Sequence, residues 1–168
     1  MFRRTRSYLL LAALLACVPH TAGAAQGDAA AKERTSARKA RGSVEKPYGR
    51  SGDARKVKRV ISIDMSDTMR FFPSSISVKR GDTVRFQLRN GGQVPHELVI
   101  GTMDELKQYA ALMKKHPETV HADAHAAHVL PGDSARMVWQ FTKAGEFHYA
   151  CLVPGHFDAG MIGTIVVR

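Results

Sequence analysis

The sequence predicts an all-β fold, a sandwich or barrel of seven or eight short strands with one inserted helix, and three observations carry that prediction. From Val60 onward, short apolar runs are punctuated by turns such as Lys79-Arg80-Gly81-Asp82, Asn90-Gly91-Gly92 and Leu130-Pro131-Gly132-Asp133. Several of these runs alternate apolar and polar residues with the period of two that a half-buried strand requires. Between Thr102 and His116 the apolar spacing is helical instead.

Taken in order, Val60-Ile61-Ser62-Ile63 alternates, and Ile76-Ser77-Val78 follows Phe71-Phe72-Pro73 as another short strand. In Thr83 to Arg89, Val84, Phe86 and Leu88 fall on one face and Arg85, Gln87 and Arg89 on the other, giving a strand with one wet side. Pro95 ends any ladder before it, and Glu97 to Ile100 opens the next strand. Thr102 and Glu105 have capping-box spacing, Leu106, Tyr109, Ala110 and Met113 share a helical face, and Pro117 stops the helix. Residues 117–132 are Ala- and His-rich and read as a loop. Ala135 to Phe141, Glu146 to Cys151 and the apolar run Ile162 to Val167 complete the set.

At 168 residues the chain is long enough for one domain with a proper core. Its first residues read as an export signal, with Arg3, Arg4 and Arg6, an apolar segment from Tyr8 to Val18, and small residues to Ala25. That segment is too short to span a bilayer, which takes roughly twenty apolar residues. Two readings stand here. Cleavage after Ala24 makes residues 1–24 a signal peptide, whereas Leu14-Leu15-Ala16-Cys17 resembles a lipoprotein signal of residues 1–16 with Cys17 lipidated. Both lead to the periplasm, as a soluble or a tethered protein.

The net charge of +10 is unevenly spread, with eleven basic against three acidic residues in 32–59 and eleven of each in 60–168. Residues 25–59, rich in Ala, Gly, Ser, Lys and Arg without strand or helix periodicity, are expected to be a basic, disordered linker. The other reading of this segment is a polybasic arm for anionic lipid head groups or an acidic partner. Export argues against nucleic acid as a partner. Residues 60–168 form the predicted domain, and it is neutral.

Chemistry concentrates in one stretch, where Cys151, His156 and Met161 recur at intervals of five residues with Pro154-Gly155 after the first donor and Gly160 before the last. A thiolate, an imidazole and a thioether folded onto one point, joined by a second imidazole, are the donors of a mononuclear copper site of the blue type. His96, after Pro95, is the candidate for that second imidazole, expected at a strand's edge facing outward from the core. With Cys17 removed or lipidated, Cys151 is the lone thiol of the mature chain, and metal ligation explains it in an oxidising compartment.

These parts together, Gly81-Asp82-Thr83-Val84-Arg85-Phe86, Pro95-His96, Ala144-Gly145-Glu146-Phe147-His148-Tyr149-Ala150-Cys151 and the loop ending in Gly163-Thr164-Ile165-Val166-Val167, resemble a cupredoxin. The resemblance spans residues 60–168 and implies an eight-stranded Greek-key sandwich in which His96 joins the C-terminal loop. It implies one copper held by His96, Cys151, His156 and, weakly, Met161. Within bacterial cupredoxins, Asp67-Thr68-Met69-Arg70-Phe71 and the helical insert resemble proteins of periplasmic copper tolerance. Glu97 departs from the pattern, since Asn commonly follows the first histidine. A carboxylate there can accept a bond from the facing loop, and it leaves both a blue and a green site open.

A second donor cluster, His121, His125 and His128, would line one face of a helix and bind another metal, or belong to a loop without a defined site. No hydrolytic spacing stands out, so no enzyme is expected. The expected function is one-electron transfer, with a redox partner docking transiently on an apolar rim of Val94, Pro95, Val153, Pro154, Phe157 and Ala159 around His156. The alternative is a copper-tolerance protein that sequesters or oxidises Cu(I). A monomer is expected, with membrane association only through a lipidated Cys17 or the basic linker.

Overall fold

The computed structural model describes residues 45–117 and 123–168. The export segment with Cys17, the linker up to residue 44, and His121 lie outside the described residues. Ten strands among those described form two five-stranded sheets. The first sheet holds β1 (Arg50–Ser51), β2 (Arg59–Ser66), β3 (Arg70–Phe72), β5 (Thr83–Asn90) and β8 (Ser134–Gln140) in the order β1-β8-β5-β2-β3. The second holds β4 (Ser75–Val78), β6 (His96–Gly101), β7 (Ala126–Val129), β9 (Gly145–Ala150) and β10 (Ile162–Val167) in the order β4-β10-β9-β6-β7. The pairs β2 with β5 and β4 with β10 run parallel, and the other pairs are antiparallel.

The alternation read from the sequence becomes the core between the sheets. Ile61, Ile63 and Met65 of β2, Val84, Phe86 and Leu88 of β5 and Met137 and Trp139 of β8 meet Leu98, Ile100, Phe147, Tyr149, Ile165 and Val167 of the other sheet. The helix α1 (Met103–Lys115) covers the outer side of that second sheet, burying Leu106, Ala110 and Met113 against Val99, Ala150 and Leu152. Consequently β6 is buried along both faces. Its apolar run is continuous for that reason, and Glu97, of the same parity as Val99, is carried into the interior.

The capping box of α1 forms as its spacing predicts. Thr102 Oγ1 accepts from Glu105 N at 3.3 Å and the Glu105 carboxylate accepts from Thr102 N at 3.0 Å. Asp104 and Glu105 occupy the first turn and Lys114 and Lys115 the last, each favoured by the helix dipole.

Three expectations are corrected. The ordered structure begins before Val60, because Tyr48 is buried at 1% exposure and stacks on Trp139, whose Nε1 donates to Tyr48 O at 3.0 Å. β1 then pairs with β8, and Asp53 caps a 3-10 turn at Ala54–Lys56, so residues 45–59 are not a disordered linker. One large aromatic supplies the burial that the surrounding small and charged residues lack. The strand count rises to ten because the two- and three-residue strands β1 and β3 are too short to show a period. Within the Ala- and His-rich stretch, residues 126–129 form β7, which pairs with β6.

Candidate metal centre

The antiparallel pairing of β6 with β9 brings the start of one strand beside the end of the other. His96 opens β6 and Cys151 follows β9 directly, so both fall at the same end of the sandwich. The loop 151–161 returns the chain to β10, which pairs with β9 from Ile162 opposite Ala150. Topology thereby joins residues 55 positions apart.

The loop's shape is held by its own backbone. Cys151 N donates to Met161 O at 3.1 Å, Met161 N to His156 O at 3.0 Å and His156 N to Val153 O at 3.0 Å. Gly155 and Gly160 adopt φ of 89° and 87°, left-handed values that side chains disfavour. The three donors spaced five residues apart thus occur in a closed, internally bonded turn. Arg70 Nη1 adds an outside tie, donating to Ala159 O at 2.8 Å and to its neighbour Met69 O at 2.7 Å.

The structure brings His96, Cys151 and His156 together with one ligand atom from each within 4.8 Å of the others. Cys151 Sγ lies 3.3 Å from His156 Nδ1 and 4.0 Å from His96 Nδ1. Bonds of about 2.0 Å to nitrogen and about 2.3 Å to sulfur, the values for zinc, separate nitrogen from sulfur in a trigonal plane by roughly 3.7 Å. The observed spacings bracket that value, so the donors fit a single ion. Met161 is fully buried in the same core cluster as Cys151. His96 opens its strand as expected but does not face outward: it is 1% exposed and shares the core-facing side with Leu98 and Ile100.

Electrostatics favours a cation here. Burial pushes the Cys151 thiol up to about 12, against the opposing pull of the Glu97 and Val153 backbone N–H groups. A thiol so reluctant to ionise becomes a thiolate when a metal ion supplies compensating charge. The Glu97 N–H points at the sulfur across 3.4 Å and supports its negative form. His156 is held below the ordinary imidazole range by burial and by the neighbouring His96, which favours the neutral, ligating ring.

Two carboxylates stand around these donors. Glu97 is fully buried; its Oε1 accepts from Leu152 N at 2.9 Å, tying the β6 start to the loop that follows Cys151. Its other oxygen lies 3.0 Å from His128 Nδ1, close enough for an ion pair but not aligned as a hydrogen bond. Burial raises the Glu97 carboxyl above the ordinary range, partly offset by His128 and the Leu152 N–H. Asp67, at the turn after β2, lies outside the donor spacing read from the sequence. Its Oδ1 lies 3.1 Å from His96 Nε2 and its Oδ2 accepts from Gln93 N at 2.7 Å. The Gln93 N–H first, and His96 after it, hold the Asp67 carboxyl below the usual range against desolvation. Asn90, which the sequence marks only as a turn residue, also belongs to this surrounding. Fully buried, it donates to Val94 O at 2.8 Å and Val129 O at 3.0 Å and accepts from Gly92 N at 2.9 Å, which shapes the approach to His96.

His125 and His128 of the second cluster do not lie on a helix. His128 sits on β7 opposite Glu97, while the His125 ring packs 5.7 Å from Tyr48 and 6.0 Å from Trp139. Of the rim residues, Val94, Pro95, Pro154 and Ala159 are exposed and Val153 is half-buried. Phe157 is half-buried too and packs against the cluster under α1, so it is less a rim residue than expected.

The family profile for copper binding proteins of the plastocyanin/azurin family matches residues 57–168. The copper-resistant cuproprotein CopI of Rubrivivax gelatinosus is 54% identical over 125 residues, covering 74% of this chain and 76% of that protein. CopI of Pseudomonas aeruginosa is 33% identical over 150 residues, covering 72% of this chain and 82% of its own. Among solved structures, reduced auracyanin from Roseiflexus castenholzii superposes with a TM-score of 0.58 at 19% identity, covering 67% of this chain and 98% of that one.

Proposed function

Because the chain belongs to the plastocyanin/azurin family of copper binding proteins, we propose that it is a periplasmic copper-tolerance protein that binds one copper ion and works through that ion's redox couple. The observation that carries this reading is the convergence of His96, Cys151 and His156 on one point. His96 Nδ1, His156 Nδ1 and the Cys151 thiolate would hold the ion, with the Met161 thioether as a further, weaker donor. When bound, copper supplies a one-electron exchange between Cu(I) and Cu(II). The protein's part is to hold the donors still and to keep water out. His96, Cys151 and Met161 are buried, and the loop's backbone bonds fix the separations of the donors. The copper-resistant name of the relatives supports the tolerance role, and the export signal read at the N-terminus supports the periplasmic location.

The test is loading the mature protein with Cu(II) and recording its visible and electron-spin spectra beside Cys151→Ser. A thiolate-to-copper charge-transfer band in the parent alone is expected, and its absence from the parent overturns the site. For the role, the gene is returned to a copper-sensitive host lacking it. Growth on copper restored by the parent and not by Cys151→Ser is expected; equal restoration by both refutes a copper-site-dependent tolerance role. Binding of more than one copper, lost when His121, His125 and His128 are replaced together, would assign those residues to auxiliary storage.

A second reading, a diffusible electron carrier, is favoured by the half-buried His156, next to His96, and by the exposed Val94, Pro95 and Pro154 that precede these ligands in the chain. Such a small apolar rim suits a transient redox partner. Val94→Asp should then slow electron exchange while leaving the spectrum intact, and unchanged exchange removes the docking idea.

A further inference from the structure

We propose that Asp67 is a positioning residue for the copper centre: its carboxylate orients His96 for ligation and biases the bound ion toward Cu(II). The inference rests on the reading of the copper site above. His96 Nε2 lies 3.1 Å from Asp67 Oδ1, while Nδ1 of the same ring faces Cys151 Sγ at 4.0 Å. A carboxylate accepts and cannot donate when ionised, so the ring proton resides on Nε2 and the lone pair on Nδ1 is left for the metal. The ring itself is fully buried, so the tautomer is set by this partner rather than by water.

The surroundings are built for the carboxylate. Asp67 Oδ2 accepts from Gln93 N at 2.7 Å, and Oδ1 is 3.4 Å from Val94 N. Any Cβ at Gly92 would collide with the carboxylate, so the 91–93 turn admits Asp67 only because that residue is glycine. The turn from β2 to β3 therefore grips both ligand-bearing segments. Asp67 holds the one entering β6, and Arg70, three residues on, holds the 151–161 loop through Ala159 O at 2.8 Å. A full negative charge one imidazole away from the ion makes that ligand more basic and stabilises the higher oxidation state.

The experiment compares the parent with Asp67→Asn and Asp67→Ala. Asn loses the charge and keeps one acceptor oxygen for the two donors, Gln93 N and His96 Nε2, that the carboxylate serves with two; Ala loses the acceptor as well. In the copper-free proteins, nitrogen NMR of His96 should show the Nε2–H tautomer in the parent and a mixture in Asp67→Ala. In the loaded proteins, Asp67→Asn should weaken Cu(II) relative to Cu(I) about tenfold, an upward shift in reduction potential of about 59 mV for one electron. Asp67→Ala should lower Cu(II) affinity by roughly 10–100-fold. An Nε2–H tautomer retained in full by folded Asp67→Ala overturns the orienting role. An unchanged potential in Asp67→Asn overturns the bias toward Cu(II). Failure of the parent to form a thiolate–copper band would instead strike the copper reading, and the tautomer measurement would still report on Asp67.

Discussion

Replacing Glu97 by Ala tests whether the two ligand-bearing segments are tied through this buried side chain. Its Oε1 accepts from Leu152 N at 2.9 Å in a fully buried setting. Losing a hydrogen bond to a charged acceptor costs about 1.5–3 kcal/mol, and leaving the Leu152 N–H without an acceptor is part of that cost. Relief of the carboxylate's desolvation, the main reason its carboxyl is raised, acts in the other direction. Glu97→Gln separates the two effects. The amide oxygen still accepts from Leu152 N and no charge is buried, so Gln should be near neutral in stability. The difference between Ala and Gln should therefore be about 1–3 kcal/mol, the cost of leaving the buried Leu152 N–H without an acceptor. Urea unfolding of the copper-free domain measures it through the midpoints at a common slope. The visible band of the loaded protein should change more in Ala than in Gln, since the bond lies one residue from Cys151. Ala and Gln variants within about 0.5 kcal/mol of each other, the range of ordinary surface substitutions, would refute the tie.

Four further outcomes are expected. Tyr48→Ala should cost about 3–5 kcal/mol in urea unfolding, the range for emptying a buried aromatic site; a loss under 1 kcal/mol would mean that residues 45–51 are not part of the folded unit. Thr102→Ala should cost about 1 kcal/mol of stability by removing the cap of α1 while leaving copper spectra unchanged. The copper-free domain should lose stability as pH rises above about 8.5, because the folded state keeps the Cys151 proton that the unfolded chain releases. Cys151→Ser should flatten that decline in pH-dependent unfolding. Saturating copper should stabilise the parent by about 4 kcal/mol at a thousandfold excess over Kd, read as a higher unfolding midpoint, and should stabilise Cys151→Ser far less.

Much of the fold is legible because it depends on local pattern. The alternation in Thr83 to Arg89, the capping spacing of Thr102 and Glu105 and the continuous run Ile162 to Val167 each specify an element whose burial follows from its own periodicity. β1 and β3 are not legible, since two or three residues cannot establish a period and their pairing depends on β8 and β2. Tyr48 reads as one aromatic in a low-complexity stretch; only the space beside Trp139 makes it core. His125 and His128 suggest a ligand cluster by spacing, but the His125 ring packs beside Tyr48 and His128 lies against Glu97.

The sequence by itself determined three donors of the centre: Cys151, His156 and Met161 lie within eleven residues, with Gly155 and Gly160 between them. Tertiary structure alone decided which residues stand behind them. Asp67 reaches His96 from 29 positions away, and Glu97 reaches Leu152 from 55. Those contacts have no periodicity to announce them, because they depend on how β2, β6 and β9 end at one rim of the sandwich. Cys151, His156 and Met161 are a matter of donor types at close spacing; His96 and the charges that orient and tune the site are a matter of which strands happen to finish beside them.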